Sequence, residues 1–360
     1  RGEFDLPLCI QDADFDANNQ WVYNGTNMQG FFGGTTLVNG NPNVSYSAAT
    51  RMYRLRLLNG SQSRILKLAF SDGTPVVVLG VDGGLLEAPE EYPYIIMGPG
   101  ERYELWADFS GKNVGDVLTL KTLEFSGAGP GQGVADDIMT FTIDRQEEET
   151  LSLPSSLGSM GEIFDVADVH GEKTWPISFS PPNFMINGGL FSMLHASENE
   201  QALGDTLEMV TITNSSGQMK FAHPMHFHGR QFQIHSRSMS STGQVDYDTV
   251  KDGLVNSGWK DTFVIMPYET VKFLVRWSRH PGLFVYHCHN LPHEDMGMMR
   301  NFAVSEPTCP ADLTHDGMVN VSDLLEIIAN WGTPFGDISG DDKTDVSDIL
   351  VAIDGWGACN

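Results

Sequence analysis

The sequence predicts an all-β fold of the sandwich or barrel type over residues 1–305, followed by a small α-helical module. Three observations carry this prediction: short apolar runs punctuated by Gly, Asn, Asp and Pro, no long amphipathic helical pattern among them, and a switch after residue 305 to an internal repeat. The runs include MYRLRLLN (52–59), PVVVLGVD (75–82), RYELWADF (102–109) and TVKFLVRW (270–277). Many short strands at this rhythm close into sandwiches or barrels. In DRQEEETLSLPSSLGSMGE (144–162) a run of acids gives way to Ser, Pro and Gly, the composition of a linker. With a second boundary at EPTCP (306–310), the expected domains are residues 1–150, 151–305 and 306–360.

Lys plus Arg number 21 against 47 Asp plus Glu, a formal charge of −26, which opposes binding to nucleic acid or to anionic membranes. Residues 309–360 hold ten acids and one lysine, so part of the excess is local. No apolar run approaches the roughly 20 residues of a membrane helix, and no membrane span is expected. The sequence opens RGEFDLPLCIQD, without initiator methionine, basic n-region or apolar h-region, and reads as the middle of something longer. Cys309 and Cys359 bracket the acidic tail and suggest a clasp formed in an oxidising compartment, secreted or periplasmic. Cys9, in an apolar strand-like run, reads as a buried structural thiol.

The chemistry concentrates in two segments. HCHNLPHEDMGMM (287–299) sets Cys288 between His287 and His289 and places His293 five residues after the cysteine. Side chains alternate faces along a strand, so His287 and His289 share one face and Cys288 takes the other; one strand can feed two metal sites. HPMHFHG (223–229) has matching parity, with His226 and His228 on one face and His223 at odd spacing from both. Cys288, His223, His293 and Met298 make a Cys, two His and weak axial Met set, the donor chemistry of a blue-copper site, with Met296 and Met299 adjacent to the axial position. His226, His228, His287 and His289 form a separate all-imidazole group, which suits copper and zinc alike.

On these motifs the chain resembles the multicopper oxidases, nearest to the branch of bacterial laccases, cuprous oxidases and bilirubin oxidase. YRLRLLNGSQSR (53–64), VDGGLL (81–86), GPGERYELWADF (98–109) and GWKDTFVIMP (258–267) are similar to that family's second and third cupredoxin domains. The resemblance covers about residues 5–305 and implies two cupredoxin Greek-key β-sandwich domains, the first without copper ligands. It implies type 1 copper on His223, Cys288, His293 and Met298, type 2 copper on His226, and a type 3 pair on His228, His287 and His289. Glu294 matches an acid that helps deliver protons to the oxygen site, whereas Asp261 is expected to be structural. A small-molecule reductant, either a phenol, an aromatic amine or a low-valent metal ion, would then deliver electrons at the exposed edge of His293. Cys288 would relay them to a trinuclear centre that reduces dioxygen to water.

The family's trinuclear centre takes four HxH pairs, and this sequence supplies two; His170, His195, His235, His280 and His315 are isolated. The resemblance therefore implies a missing first cupredoxin domain carrying the other four histidines, and a chain that is inactive alone. Two other readings compete: an electron-transfer protein using only the type 1 copper, and a scaffold-binding protein tethered by its C-terminal module.

In that module DLTHDGMVNVSDLLEIIANWG (312–332) recurs as DISGDDKTDVSDILVAIDGWG (337–357), a spacing of 25. Asp312, Thr314, Asp316, Met318, Asn320 and Asp323 take the ligand positions of an EF-hand-like calcium loop, with Gly317 at its turn. Asp337, Ser339, Asp341, Lys343, Asp345 and Asp348 repeat them, but Asp342 replaces the glycine. An apolar helical stretch follows each loop, namely Leu324, Leu325, Ile327 and Ile328, then Ile349, Leu350, Ala352 and Ile353. The pair resembles a dockerin module, which implies bound calcium and a cohesin-like partner.

Overall fold

The computed structural model describes residues 2–23, 28–215, 220–306, 309–314 and 316–359. His315, and Pro307 and Thr308 of the second boundary motif, lie outside the described residues. The quoted apolar runs all form strands: Met52–Asn59, Val76–Val81, Arg102–Asp108 and Glu269–Arg276. Along Met52–Asn59 the apolar Tyr53, Leu55 and Leu57 are buried while Arg54 and Arg56 between them are not, as alternation of faces requires.

Four sheets pack as two sandwiches. In the first, Asp5–Phe15 lies parallel to Met52–Asn59, which continues antiparallel to Arg102–Asp108 and then Val76–Val81. Its facing sheet runs Ile95–Met97, Leu66–Phe70, Val117–Thr122, Asp136–Arg145, Val44–Ala49. The second sandwich pairs Gly171–Ser180 with Leu207–Asn214 and Glu269–Arg276 in one sheet. The other sheet runs Gln201–Leu203, Met299–Ser305, Gly282–Cys288, His223–Phe227, Thr262–Ile265. Each sandwich closes on its own apolar core, the first around Tyr53, Leu105 and Phe141, the second around Trp175, Phe227 and Phe273. A third cluster joins them, with Ile65, Ile96 and Phe125 against Val250, Leu254 and Val264.

Residues 146–165 contain neither strand nor helix and are pinned to both sandwiches: Leu157 N donates to Glu87 O (2.8 Å), and Trp259 Nε1 donates to Met160 O (2.9 Å). Cys9 is half-buried, not buried, because Leu8 and Ile10 on either side of it take the core face of their strand. No helix among the described residues is long and apolar enough to cross a membrane.

The tail folds as two helices, Val321–Ala329 and Val346–Asp354, each opened by a reciprocal cap. The Asn320 side chain accepts from Ser322 N (2.8 Å) while Asp323 accepts from Asn320 N (2.8 Å), and Asp345 and Asp348 repeat the arrangement. Gly317 (φ 82°) and Asp342 (φ 66°) adopt the same left-handed turn, so the aspartate carries a strain the glycine does not. Of the predicted helical apolar residues, Ile327 and Ala352 are buried, whereas Leu325, Ile328, Leu350 and Ile353 face solvent. Cys309 and Cys359 form a disulfide across a sequence separation of 50. A bridge closing a loop of this length contributes about 2 to 4 kcal/mol. Cys359→Ser should therefore lower the calorimetric melting temperature of the tail while leaving the sandwich transition in place.

Candidate metal centre

The site grows from one register. Strands His223–Phe227 and Gly282–Cys288 pair antiparallel with Met225 opposite Cys288 and His226 opposite His287. Cys288 and Met225 point into the second sandwich's core and are 0% exposed. His226 and His287, one residue out of phase, face the other way.

On the core side the Cys288 Sγ lies 3.5 Å from His223 Nδ1 and 3.8 Å from His293 Nδ1, and the two nitrogens are 3.2 Å apart. His293 arrives on the short helix Leu291–Asp295, in a loop held by Met298 N donating to His293 O and Cys288 N donating to Met298 O (both 3.0 Å). Asn290 N donates to Cys288 Sγ at 3.4 Å. Met298 is fully buried in the same core. Met299 pairs in register with His287, which puts it on the opposite face from Cys288. Burial pushes the Cys288 thiol up, drives His223 well below its ordinary value and lowers His293 to about 3. Two imidazoles whose Nδ1 atoms converge on a buried sulfur have no protein cation among them, and this donor set fits a soft, imidazole-binding ion such as copper.

On the other side, ligand atoms of His226, His228 and His287 lie within 4.8 Å of one another. His228 Nε2 and His287 Nε2 face each other at 3.1 Å. His287 Nδ1 points to the Cys288 carbonyl (3.1 Å) and to the Glu294 carboxylate (3.3 Å), both acceptors, so Nε2 carries the free lone pair. His289 stands beside this group without joining it; its ring centroid is 5.7 Å from that of His226 and 5.6 Å from that of His287. Burial, then His287, lowers His289 to about 4. Burial alone would raise Glu294, but its contact with His287 and the nearby imidazoles bring it below the usual range. An open cavity of about 390 Å³ lined by His226, His228, Arg230 and Asp261 fronts the cluster.

One expectation is overturned. His293 is not an exposed edge: it is 0% exposed, its Nε2 lies 3.1 Å from the Met28 carbonyl, and the Phe184 ring packs at 4.1 Å. A segment of the first sandwich covers it. A backbone carbonyl has no residue-type signature, so no pattern in the sequence announces this cover. Asp261, expected to be structural, receives both Arg102 guanidinium nitrogens and lies beside His226. In the tail, carboxylates of the predicted calcium loops accept backbone N–H groups of their own loops: Asp312 from Asp316 and Gly317, Asp337 from Gly340 and Asp342.

A buried thiol with two imidazoles on one face of a strand, and three converging imidazoles on the other, give one β-sandwich two donor clusters that could each hold a metal ion. Residues 166–308 match the multicopper oxidase family. The bilirubin oxidase of Albifimbria verrucaria is 29% identical over 84% of this chain and 53% of its own length. A laccase of Haloferax volcanii is 30% identical over 92% of this chain and 57% of its own. Among solved structures, the McoA multicopper oxidase of Aquifex aeolicus superposes with a TM-score of 0.73 at 31% identity, covering 84% of this chain and 66% of that one. The chain is thus a relative of the multicopper oxidases, with laccases and a bilirubin oxidase among its homologues. It spans 53 to 57% of the length of these two curated relatives.

Because the reactive species is the thiolate, the raised Cys288 pKa and its complete burial should leave it unlabelled by a thiol reagent at pH 8 in the folded, metal-free chain. Denaturation should release it, as read by mass spectrometry of the labelled peptide. Rapid labelling of Cys288 in the native state would contradict the packing described.

Proposed function

We propose that this chain is the part of a laccase-like multicopper oxidase that accepts electrons from a reductant and holds half of the oxygen-reducing centre. The observation that carries this reading is the sequence-adjacent pair Cys288 and His287, each in a different ligand cluster. Copper bound at these sites supplies one-electron redox chemistry. His223, Cys288, His293 and Met298 hold the type 1 ion, His226 the type 2 ion, and His228, His287 and His289 their share of the type 3 pair. The Cys288–His287 peptide is the covalent route between the sites. Glu294, touching His287 Nδ1, holds and moves protons at the oxygen side.

The reductant, a phenol, an aromatic amine or a low-valent metal ion, meets the site over the segment at Met28, since His293 is enclosed there. In the all-imidazole cluster only His226, His228 and His287 converge among the described residues, with His289 alongside. The remaining donors come from a further cupredoxin domain outside residues 1–360, and without it the chain reduces no dioxygen. The copper-loaded chain should be intensely blue and Cys288→Ser colourless, because only the thiolate gives the strong charge-transfer band. Oxygen uptake with a phenol should be absent for residues 1–360 and appear when the further domain is supplied. A blue protein inert toward dioxygen in both cases would leave the electron-transfer reading, and brisk turnover by the chain alone would refute the divided centre.

For the tail we infer a dockerin-like calcium module. The helices expose Leu325 and Ile328, then Leu350 and Ile353, at the same repeat positions, a duplicated apolar face suited to a cohesin-like partner. Calcium would sit on Asp312, Thr314, Asp316, Met318 O, Asn320 and Asp323, and on Asp337, Ser339, Asp341, Lys343 O, Asp345 and Asp348. The disulfide supports a secreted or periplasmic location. Calcium should raise the melting temperature of the tail in the full chain, and Asp312→Ala should remove most of that gain. Identical melting in calcium and in chelator would overturn the calcium assignment.

A further inference from the structure

Residues 1–150 contain no histidine, yet a turn of this sandwich, GPGER (98–102), packs directly against the imidazole cluster of the other. Arg102 donates from Nη1 to Asp261 Oδ1 (2.7 Å) and from Nη2 to Asp261 Oδ2 (2.6 Å), the bidentate fork that fixes a carboxylate in plane. The guanidinium is itself anchored by the Gly100 and Asp82 carbonyls at 2.9 and 3.0 Å. The second partner, Thr262, gives its hydroxyl proton to Asp261 Oδ1 (2.8 Å). A hydroxyl has a single proton to donate. Thr262 Oγ1, 2.9 Å from His226 Nδ1, is therefore left as an acceptor toward that nitrogen, and the Asp261 carbonyl at 3.0 Å is an acceptor too.

We propose that Arg102 is a positioning residue for His226: by fixing the Asp261 carboxylate and through it the Thr262 hydroxyl, it adds a second acceptor to the Asp261 carbonyl facing Nδ1, which reinforces the Nδ1–H tautomer and leaves the Nε2 lone pair free for the cluster. Gly100 does the same work sterically for His289. Its φ is +84°, and a Cβ there would lie 2.6 Å from His289 Cδ2, so only glycine lets the turn seat against that ring. One turn of a sandwich without ligands thus orients two imidazoles of its neighbour. Asp82 braces the same turn, accepting from Asp261 N and Thr262 N at 3.2 Å. The inference deepens the proposed function, on whose reading these imidazoles hold copper; the tautomer itself does not require that reading.

The test uses the full chain and two readouts. In the metal-free protein, nitrogen-15 imidazole spectra should show His226 as the Nδ1–H tautomer. Arg102→Gln should release Asp261, free the Thr262 hydroxyl to donate, and give a mixture of tautomers. Copper affinity at the imidazole cluster should fall about 10- to 100-fold, as loss of an outer-shell partner typically does, while the Cys288 blue band is unchanged. Arg102→Lys, which keeps the charge but not the fork, should fall between and carries the test if Arg102→Gln does not fold. Arg51→Gln, which breaks an ion pair with Glu149 in the same sandwich (3.1 Å), should lower the melting temperature without altering the tautomer. An unchanged His226 tautomer in folded Arg102 variants, or an equal change in Arg51→Gln, would overturn the proposal. A tautomer shift in a chain whose cluster binds no copper supports the positioning and counts against the metal reading instead.

Discussion

The site rests on one register, that of His223–Phe227 against Gly282–Cys288. Because strand side chains alternate, a slip of one residue would carry His287 into the core and Cys288 out of it. Aromatic packing holds the register: Tyr286 stacks on Phe227 (5.3 Å, 11°) and on Trp175 (4.6 Å). Such pairs contribute about 0.5 to 1.5 kcal/mol each beyond their buried area. The Tyr286 hydroxyl donates to the buried Glu200 (2.7 Å), which Arg300 pairs from the next strand. A phenol hydroxyl that has its partner only in this alignment makes the shifted one costly, since it would leave a buried polar group unsatisfied.

The histidine-poor sandwich is a scaffold for the histidine-rich one. Ser63 donates to Asn290 Oδ1 (2.9 Å) and Leu291 N donates to Gln62 O (3.0 Å), so the loop from Cys288 to His293 is clamped from across the interface. Beside the other cluster, Lys260 is completely buried between Asp82 (3.3 Å) and Glu101 (3.1 Å). Burial works against its ammonium, but the two carboxylates outweigh it and hold its pKa above the ordinary value. Removing one member would strand a buried charge, at a cost of about 3 to 5 kcal/mol. The interface therefore has one favourable alignment, and the orientation of His226 and His289 follows from it.

Period-two alternation and spaced histidines made much of this legible. Met52–Asn59 and Arg102–Asp108 follow from their apolar rhythm, and the opposite faces of Cys288 and His287 follow from adjacency alone. What escaped prediction depends on contacts distant in sequence or lacking side-chain identity. The Met28 carbonyl over His293 spans 265 positions and belongs to a backbone group any residue could supply. The Arg102–Asp261 fork spans 159, between two segments that read only as a strand start and a turn. Within the tail the helix starts were legible from the repeat, but the outward turn of Leu325 and Leu350 was not. Leu324, Leu325, Ile327 and Ile328 on a helix of nine residues look like a buried face until the size of the opposing core is known.

That core is small, comprising Ala311, Val319, Ile327 and Ala352. A module this size buries too little apolar surface to offset chain entropy by itself, and the remaining constraints are the Cys309–Cys359 disulfide and local hydrogen bonds. Asp323 accepts from Thr314 N (2.9 Å) and Asn320 N (2.8 Å), tying its loop to the first turn of the helix; Asp348 does so in the second half. These hydrogen bonds bring Asp323 below the usual carboxylate range although burial opposes it. The group therefore contributes stability above the ordinary aspartate pKa, and that contribution is lost as pH falls through its lowered value. The same carboxylate that shapes the loop thus stays ionised at neutral pH, so a loop ordered by its backbone donors retains the charge a hard cation needs.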